Sequence, residues 1–424
     1  MHYNILVFPC GSEIGLEIHR SLKFSRHISL YGANSVDDHG RFVFENYFSG
    51  LPFFHEKGFI DQLKVLIINN NIDAIYPAMD AVIAFLKERE EELGCKVIAP
   101  SKEVTETCLS KTKTYELLKD TIIVPNIYTS FEEVEKFPVF LKPDIGYGSR
   151  GVMKANNKSD VQNHLLNYPT SLILEYLPGK EYTVDCFTDR NGKLLYFGAR
   201  ERKRVSNGIS VNTIPFNERD REIAEIVNLV NNKINFSGAW FIQLKENENG
   251  ELALLEIAAR LGGSSSLNRN LGVNFALLSV FNTFGLDIDI FANNYDIELD
   301  RALDNKYKLS IGYSTVYCDF DDCLIFGNQV NTQLIMFLFQ CFNENKRLVL
   351  VTKHERDIAQ TLEKMRLKGV FDEIIHLKTG DRKYLYMHDR DSIFIDDSHV
   401  ERKEVFINLG IPVFAPDNVE CLLK

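Results

Sequence analysis

The sequence predicts a multidomain protein of mixed α/β and α+β class, and three observations predict it. Both ends of the chain alternate short apolar runs with helical stretches, as parallel βαβ units do. The middle instead pairs apolar runs across glycine-bearing turns, the mark of hairpins. Finally, 424 residues exceed what one hydrophobic core usually supports. A net charge of −11 argues against nucleic acid or an anionic membrane surface as a general partner and leaves small molecules. The eight cysteines form no CxxC pair and no zinc-ligand spacing, so they read as thiols in a reducing cytoplasm. No basic leader precedes an apolar stretch, and no run approaches ~18 apolar residues, so neither a targeting segment nor a membrane span is expected.

Residues 1–105 are expected as an N-terminal α/β domain. Strands near 4–8, 27–31, 74–77 and 96–99 alternate with helices near 14–24 and 58–69. Gly11 and Gly15 follow the first strand without forming GxGxxG, so no dinucleotide site is expected there. Asp80 follows the strand at 74–77, at the carboxyl edge where open α/β sheets bind ligands, and is a candidate substrate contact.

Residues 106–290 form the second unit. Lys111 and Lys113 open a helix whose positive end favours anions. A strand at 139–141 then delivers Lys142 into "KPDIGYGSRGV", which holds Gly146, Gly148, Ser149 and Gly151. Glycines let main-chain N–H groups approach an anion, and the lysine adds a point charge, so this loop reads either as a lid over a polyphosphate or as a glycine-rich hairpin turn with a solvated lysine. After a helix near 158–166 come strand 171–174, the hinge Glu175-Tyr176-Leu177, the turn Pro178-Gly179 and strand 182–187. Such a hinge exposes main-chain groups to a purine edge, and Glu181 just beyond it can accept both hydroxyls of a ribose. Arg200, Arg202, Lys203 and Arg204 cluster before Ser206, as an anion contact or as charge on an exposed edge strand.

In "AWFIQLKENENGELALLEIAAR", Asn249-Gly250 is a two-residue hairpin signal between strands at 240–244 and 252–257. Counting outward from Glu248 opposite Glu251 pairs Gln243 with Glu256 on one face. Two oxygen ligands on a rigid sheet suit Mg²⁺. Arg260, four residues on, is placed to stabilise a transferring phosphoryl group.

Residues 291–312 are expected as a linker to a second βαβ unit, 313–424. Three of its strands end in chemistry: "TVYC" in Asp319 to Asp322, "RLVLV" in Thr352, and "SIFI" in Asp396-Asp397-Ser398. Converging carboxylates repel one another unless a cation joins them, so an Mg²⁺ site is expected. Asp319 is then the candidate nucleophile, Asp321 the proton donor to a leaving oxygen, and Lys383 the balancing charge, with Lys378 its rival.

Lys111 with Thr114-Tyr115, Lys142 with its glycine loop, "EYLPGKEYTVD" and "QLKENENGELALLEIAAR" together resemble the ATP-grasp superfamily, in its carbamoyl-phosphate-synthase-like and carboxylate–amine ligase branches. The resemblance runs to about residue 290 and implies a Rossmann-like pre-ATP-grasp domain followed by two α+β subdomains gripping MgATP. By it, Lys111, Lys142, Gly148, Ser149 and Arg202 belong to the ATP site. Glu175, Tyr176 and Leu177 hold the adenine, Glu181 the ribose, Gln243 and Glu256 Mg²⁺, and Arg260 the reacting phosphate. It implies activation of a small carboxylate as an acyl phosphate, with release of ADP, for attack by an amine. Ala258 departs from the pattern, standing where many relatives carry a metal-binding asparagine. That departure motivates an alternative in which this half senses nucleotide and regulates the C-terminal unit.

The C-terminal unit is similar to the haloacid dehalogenase (HAD) superfamily, mainly phosphatases. The similarity implies Asp319 as nucleophile, Asp321 as acid/base, Thr352 as phosphate donor, Lys383 as the basic residue and Asp319, Asp396 and Asp397 around Mg²⁺, acting on a phosphorylated substrate. Cys323 stands where a threonine is common. The segments between motifs leave room for helices but for no separate cap domain, so the site is expected to rely on its substrate's size or on another surface, for which the ATP-grasp portion is a candidate, to exclude water.

Overall fold

The computed structural model describes residues 1–146, 151–206, 208–302 and 305–423. The N-terminal unit is a five-stranded parallel sheet built from β1 (Tyr3–Phe8), β2 (Ile28–Ala33), β3 (Asn46–Phe48), β4 (Ala74–Pro77) and β5 (Lys96–Val97), in the order β3-β2-β1-β4-β5. Helices α1 (Glu13–Leu22), α2 (Phe59–Asn69), α3 (Asp80–Glu88) and the short α4 (Glu90–Leu93) connect the strands. Ile5 and Val7 pack on one face of β1, Leu6 and Phe8 on the other, which is why the run is apolar throughout. The three-residue β3 was not expected.

Helices α5 (Lys102–Leu109) and α6 (Lys111–Leu118) lead into two antiparallel sheets. The smaller contains β6 (Ile127–Tyr128), β7 (Val139–Pro143), β8 (Met153–Ala155) and, after α7 (Lys158–Asn167), β9 (Ser171–Glu175), ordered β6-β9-β7-β8. The larger has seven strands. Its first five are β10 (Glu181–Thr188), β11 (Leu194–Ser206), β12 (Ile209–Pro215), β13 (Gly238–Glu246) and β14 (Leu252–Ala258), with α8 (Asp220–Ile234) between β12 and β13. Helices α9 (Ser266–Asn270) and α10 (Phe275–Thr283) follow. The core beneath this sheet centres on Trp240, Ile242, Leu244, Leu254 and Val227.

The segment expected as a linker instead folds into a hairpin, β15 (Ile297–Arg301) and β16 (Asn305–Leu309), which completes the large sheet in the order β14-β13-β10-β11-β12-β15-β16. Ile297 and Leu299 are buried between Glu298 and Asp300, a period of two that fits a half-buried strand. The cationic run at 200–204 therefore lies inside the sheet, on β11 between β10 and β12, and not on an edge.

The C-terminal unit is a second five-stranded parallel sheet. It comprises β17 (Thr315–Cys318), a small hairpin β18 (Ile325–Phe326) and β19 (Gln329–Val330), α11 (Thr332–Asn343), β20 (Arg347–Thr352), α12 (Ile358–Lys364), β21 (Glu373–His376), β22 (Ser392–Ile395), α13 (His399–Leu409) and β23 (Val413–Phe414). The strand order β21-β20-β17-β22-β23 puts the ends of β20, β17 and β22 side by side. A buried joint ties the units together. Arg269, fully buried, donates to Glu17 of α1 at 2.9 Å, to Glu420 at 3.0 Å and to the Asp417 carbonyl at 2.7 Å. No helix among the described residues is long and apolar enough to cross a membrane.

Candidate functional site

Between the four-stranded and seven-stranded sheets lies a cavity of about 250 Å³ lined by Lys111, Lys142, Glu175, Tyr176, Leu177, Glu181, Arg202, Gln243 and Glu256. Nine residues expected at one site are thus brought together. Gly148 and Ser149 lie outside the described residues.

Lys142 points from β7 toward β14, donating to the Leu255 carbonyl at 2.9 Å and to the Tyr115 hydroxyl at 2.7 Å, which itself donates to Leu255 at 2.7 Å. Burial, aided by the neighbouring Lys111 charge, lowers Lys142 to about 7 against the pull of Glu256. Leu255 can receive both donors because it is the extra residue of a bulge. The ladder pairs Gln243 with Glu256 but Leu244 with Leu254.

That bulge also corrects the expected turn. The last pair before the loop is Glu246 with Leu252, and Asn247 accepts from Asn249 and Glu251 through its side chain, so the loop is longer than Asn249-Gly250. The register near the turn is one residue off the count, and the bulge restores it. Gln243 and Glu256 end up paired as expected, by two deviations that cancel.

Lys111 reaches the cavity, but the helix end behind it is not free for an anion. The Asp144 carboxylate accepts from the Thr112 N–H at 2.7 Å and the Ser110 hydroxyl at 2.8 Å, capping α6. Burial opposes that charge, yet these hydrogen bonds prevail and hold Asp144 below its ordinary range. In the hinge, the Glu175 N–H is taken by the Asn126 carbonyl at 2.9 Å, while no main-chain hydrogen bond among the described residues uses Tyr176 or Leu177. Arg202 bonds Glu181, the Gln243 side-chain oxygen at 3.3 Å and the Gly208 carbonyl at 2.6 Å, and its Nε is buried without a partner among the described residues. Arg200, its neighbour on β11, is consumed by buried Asp185 at 2.7 Å.

Arg260 does not join this cavity, contrary to expectation. Its guanidinium forms a two-pronged pair with Asp80 at 2.9 and 2.8 Å, across the boundary with the N-terminal unit. Each was a candidate for reactive contact; together they neutralise one another. Sequence spacing fixes where a strand ends but not toward which unit the next side chain turns.

The C-terminal carboxylates converge as expected. Asp319, Asp321, Thr352, Lys383, Asp396 and Asp397 line one chamber of about 1170 Å³, which shares no lining residue with the first cavity. Lys383 Nζ lies 2.6 Å from both Asp319 and Asp396, while Lys378 is exposed. Ligand oxygens of Asp319, Asp396 and Asp397 lie within 4.8 Å of one another. One lysine among three carboxylates leaves the cluster short of positive charge. Burial and the Asp396 charge push Asp319 upward, and burial with Asp396 and Asp322 brings Asp397 to about 6. A hard divalent cation is what such an oxygen set accepts.

Two residues the sequence did not single out complete this site. His354 Nδ1 meets both oxygens of Asp321, at 3.0 and 2.9 Å, and its Nε2 lies 3.1 Å from Thr361. Arg402 donates to the carbonyls of Asp396 and Asp397, both at 2.7 Å, fixing the turn that presents them. The signal for Arg402 was its place four residues into the helix after Ser398.

A cavity gripped by two antiparallel sheets behind a parallel α/β domain is the ATP-grasp fold, and residues 1–309 have it. A family model described as "ATP-grasp in the biosynthetic pathway with Ter operon" matches residues 167–301, about a third of the chain. Among curated proteins, the chain is 30% identical over 104 residues to a D-alanine–D-alanine ligase of Fusobacterium nucleatum, covering 24% of this chain and 35% of that one. It is 23% identical over 239 residues to a phosphoribosylamine–glycine ligase of the same organism, covering 48% and 56%. The chain thus spans between about a third and somewhat over half the length of these relatives. A solved structure of similar fold is the biotin carboxylase domain of Hydrogenobacter thermophilus 2-oxoglutarate carboxylase, in complex with MgADP, ADP and bicarbonate. Its TM-score is 0.60 at 18% identity, covering 71% of this chain and 74% of that one.

Proposed function

We propose that this protein is an ATP- and Mg²⁺-dependent ligase that activates a small carboxylate as an acyl phosphate for attack by an amine, fused to an Mg²⁺-dependent HAD-type phosphatase. The observation that carries the first half is the cavity itself, where Lys111 of α6 and Lys142 of β7 meet Arg202, Gln243 and Glu256 of the seven-stranded sheet. The donor set fits the ligand. Among the described residues Arg202 Nε is buried without a partner, and the Glu256 carboxylate lines the same cavity. Gln243 and Glu256, paired across β13 and β14, would hold Mg²⁺, with Ala258 offering no third ligand from β14. ATP supplies the phosphoryl group that the carboxylate accepts. Lys142 and Lys111 bind its phosphates, Tyr176 and Leu177 offer free main-chain groups to the adenine, and Glu181 takes the ribose. The relatives' names, ligases of D-alanine and of glycine, support an amino acid among the substrates.

In the second half, an Asp319 oxygen attacks the phosphorus of a phosphate monoester while Asp321 protonates the departing oxygen. Water then attacks the aspartyl phosphate, giving its proton to Asp321 and releasing inorganic phosphate. Lys383 and Thr352 hold the phosphoryl oxygens; Asp319, Asp396 and Asp397 would hold Mg²⁺, which would offset the charge of nucleophile and phosphate.

The test uses Asp319→Asn protein, so that the second site consumes nothing, with MgATP, amino acids and fractionated metabolites. Expected is ADP release that depends on particular fractions, a product mass equal to a condensation, and loss of both in Lys142→Ala. ATP binding with no stimulated turnover would replace the ligase with the nucleotide-sensing alternative.

A further inference from the structure

The chamber above Asp319 has walls from outside its own unit, and we propose that the N-terminal unit is its built-in cap, selecting phosphate monoesters whose leaving group has the size of a sugar or nucleoside. This rests on the phosphatase reading above. The only insertion between Asp319 and α11 is the β18–β19 hairpin, far too small to cover the carboxylates. The hairpin and the turn that leads into it are instead clamped to the turn joining α1 to β2. Phe326 stacks on Phe24 with ring centroids 5.8 Å apart and planes 8° from parallel, and Asp322 pairs with Arg26 at 2.7 Å.

The opposite wall is the segment after α10, where Asp289 pairs with Lys403 and Phe291 packs on His399 at 5.0 Å. Phe24, Arg26 and Asp289 therefore line the same chamber as Asp319, Thr352 and Lys383. About 1170 Å³ far exceeds what a phosphate group fills and is somewhat larger than the sites that usually enclose whole small molecules.

The cap is fixed rather than hinged. Beneath it, Arg269 holds Glu17 of α1 and Glu420 of the C-terminal unit, and Asn274 bridges the Ser21 carbonyl and Asp417, at 2.7 Å each. Selection therefore works by fit to a standing wall, with the phosphate at Asp319 and the leaving group against Phe24 and Arg26.

The experiment measures kcat and KM of the full chain for p-nitrophenyl phosphate and for a panel of hexose phosphates and nucleoside monophosphates, in wild type, Phe24→Ala and Arg26→Ala. Both side chains are partly exposed, so the variants keep the fold, which a melting curve checks. Expected is a wild-type preference for one class of larger ester over p-nitrophenyl phosphate. In the variants, that ratio of kcat/KM falls tenfold or more, mainly through KM. A wild type that hydrolyses p-nitrophenyl phosphate with no preference for any larger ester, or a ratio unchanged within twofold in both variants, overturns the cap alone. A wild type indistinguishable from Asp319→Asn on every ester overturns the phosphatase reading and the cap with it.

Discussion

Nucleotide binding should draw a proton from solution, and Lys142 is the reason. In the ligand-free protein, burial lowers this lysine to about 7 from an ordinary value of 10.5. Between those values the unfolded chain binds more protons than the folded one, so this group makes the ligand-free fold more stable as pH rises through that window. A triphosphate at the cavity supplies the missing counter-charge and restores the ammonium. At pH 8 about nine-tenths of the free protein carries neutral Lys142, so binding takes up about 0.9 proton; at pH 7 the figure is about 0.5, and at pH 6 about 0.1. Nucleotide affinity attributable to Lys142 accordingly weakens by nearly tenfold, ~1.4 kcal/mol, per pH unit above 8, and by less between 7 and 8. Titration calorimetry with MgATP at pH 8, in buffers of different ionisation enthalpy, reads the uptake as the slope of apparent enthalpy. A slope near zero at pH 8, or an equal slope in Lys142→Met, would refute the reasoning.

Further outcomes follow from other parts of the structure. Asp319→Asn should abolish phosphate-ester turnover, by ~10³-fold or more in a colorimetric phosphate assay, and leave ligation untouched, because the two cavities share no residue. Arg269→Met strips buried Glu17 of its nearest charged partner and should cost ~3–5 kcal/mol, read as a lowered urea midpoint. Tyr115→Phe deletes a hydroxyl that serves both Leu255 and Lys142, and should cost ~1–2 kcal/mol in the same titration, while weakening nucleotide binding in calorimetry.

Period and punctuation made much of the architecture legible. The N-terminal and C-terminal βαβ units read clearly because each apolar run is short and bounded, and because strand ends carry the unusual residues. The convergence of Asp319, Thr352 and Asp396 needed only parallel strands ending on one edge. The Gln243–Glu256 pair was reached through a wrong turn, since the Leu255 bulge has no signature in side-chain type. Arg260 was misplaced because its partner, Asp80, lies 180 residues away, a distance over which spacing says nothing. The same holds for Asp144, which caps α6 from another strand's end. The hairpin at 297–309 was legible: Ile297 and Leu299 alternate with charge, but the many acidic and asparagine residues around them resemble a connector.

That hairpin decides how the gene could be divided. Its first strand extends the large sheet through β12, while Tyr307 and Leu309 of its second pack onto the core of the C-terminal unit. A fragment starting at 313 would leave part of its own cover behind, and one ending at 290 would bare β12 as an open edge, a surface prone to aggregation. Neither half is a detachable cassette. An engineer replacing one half, or evolution recombining it, must carry the hairpin across the junction or rebuild both surfaces it covers.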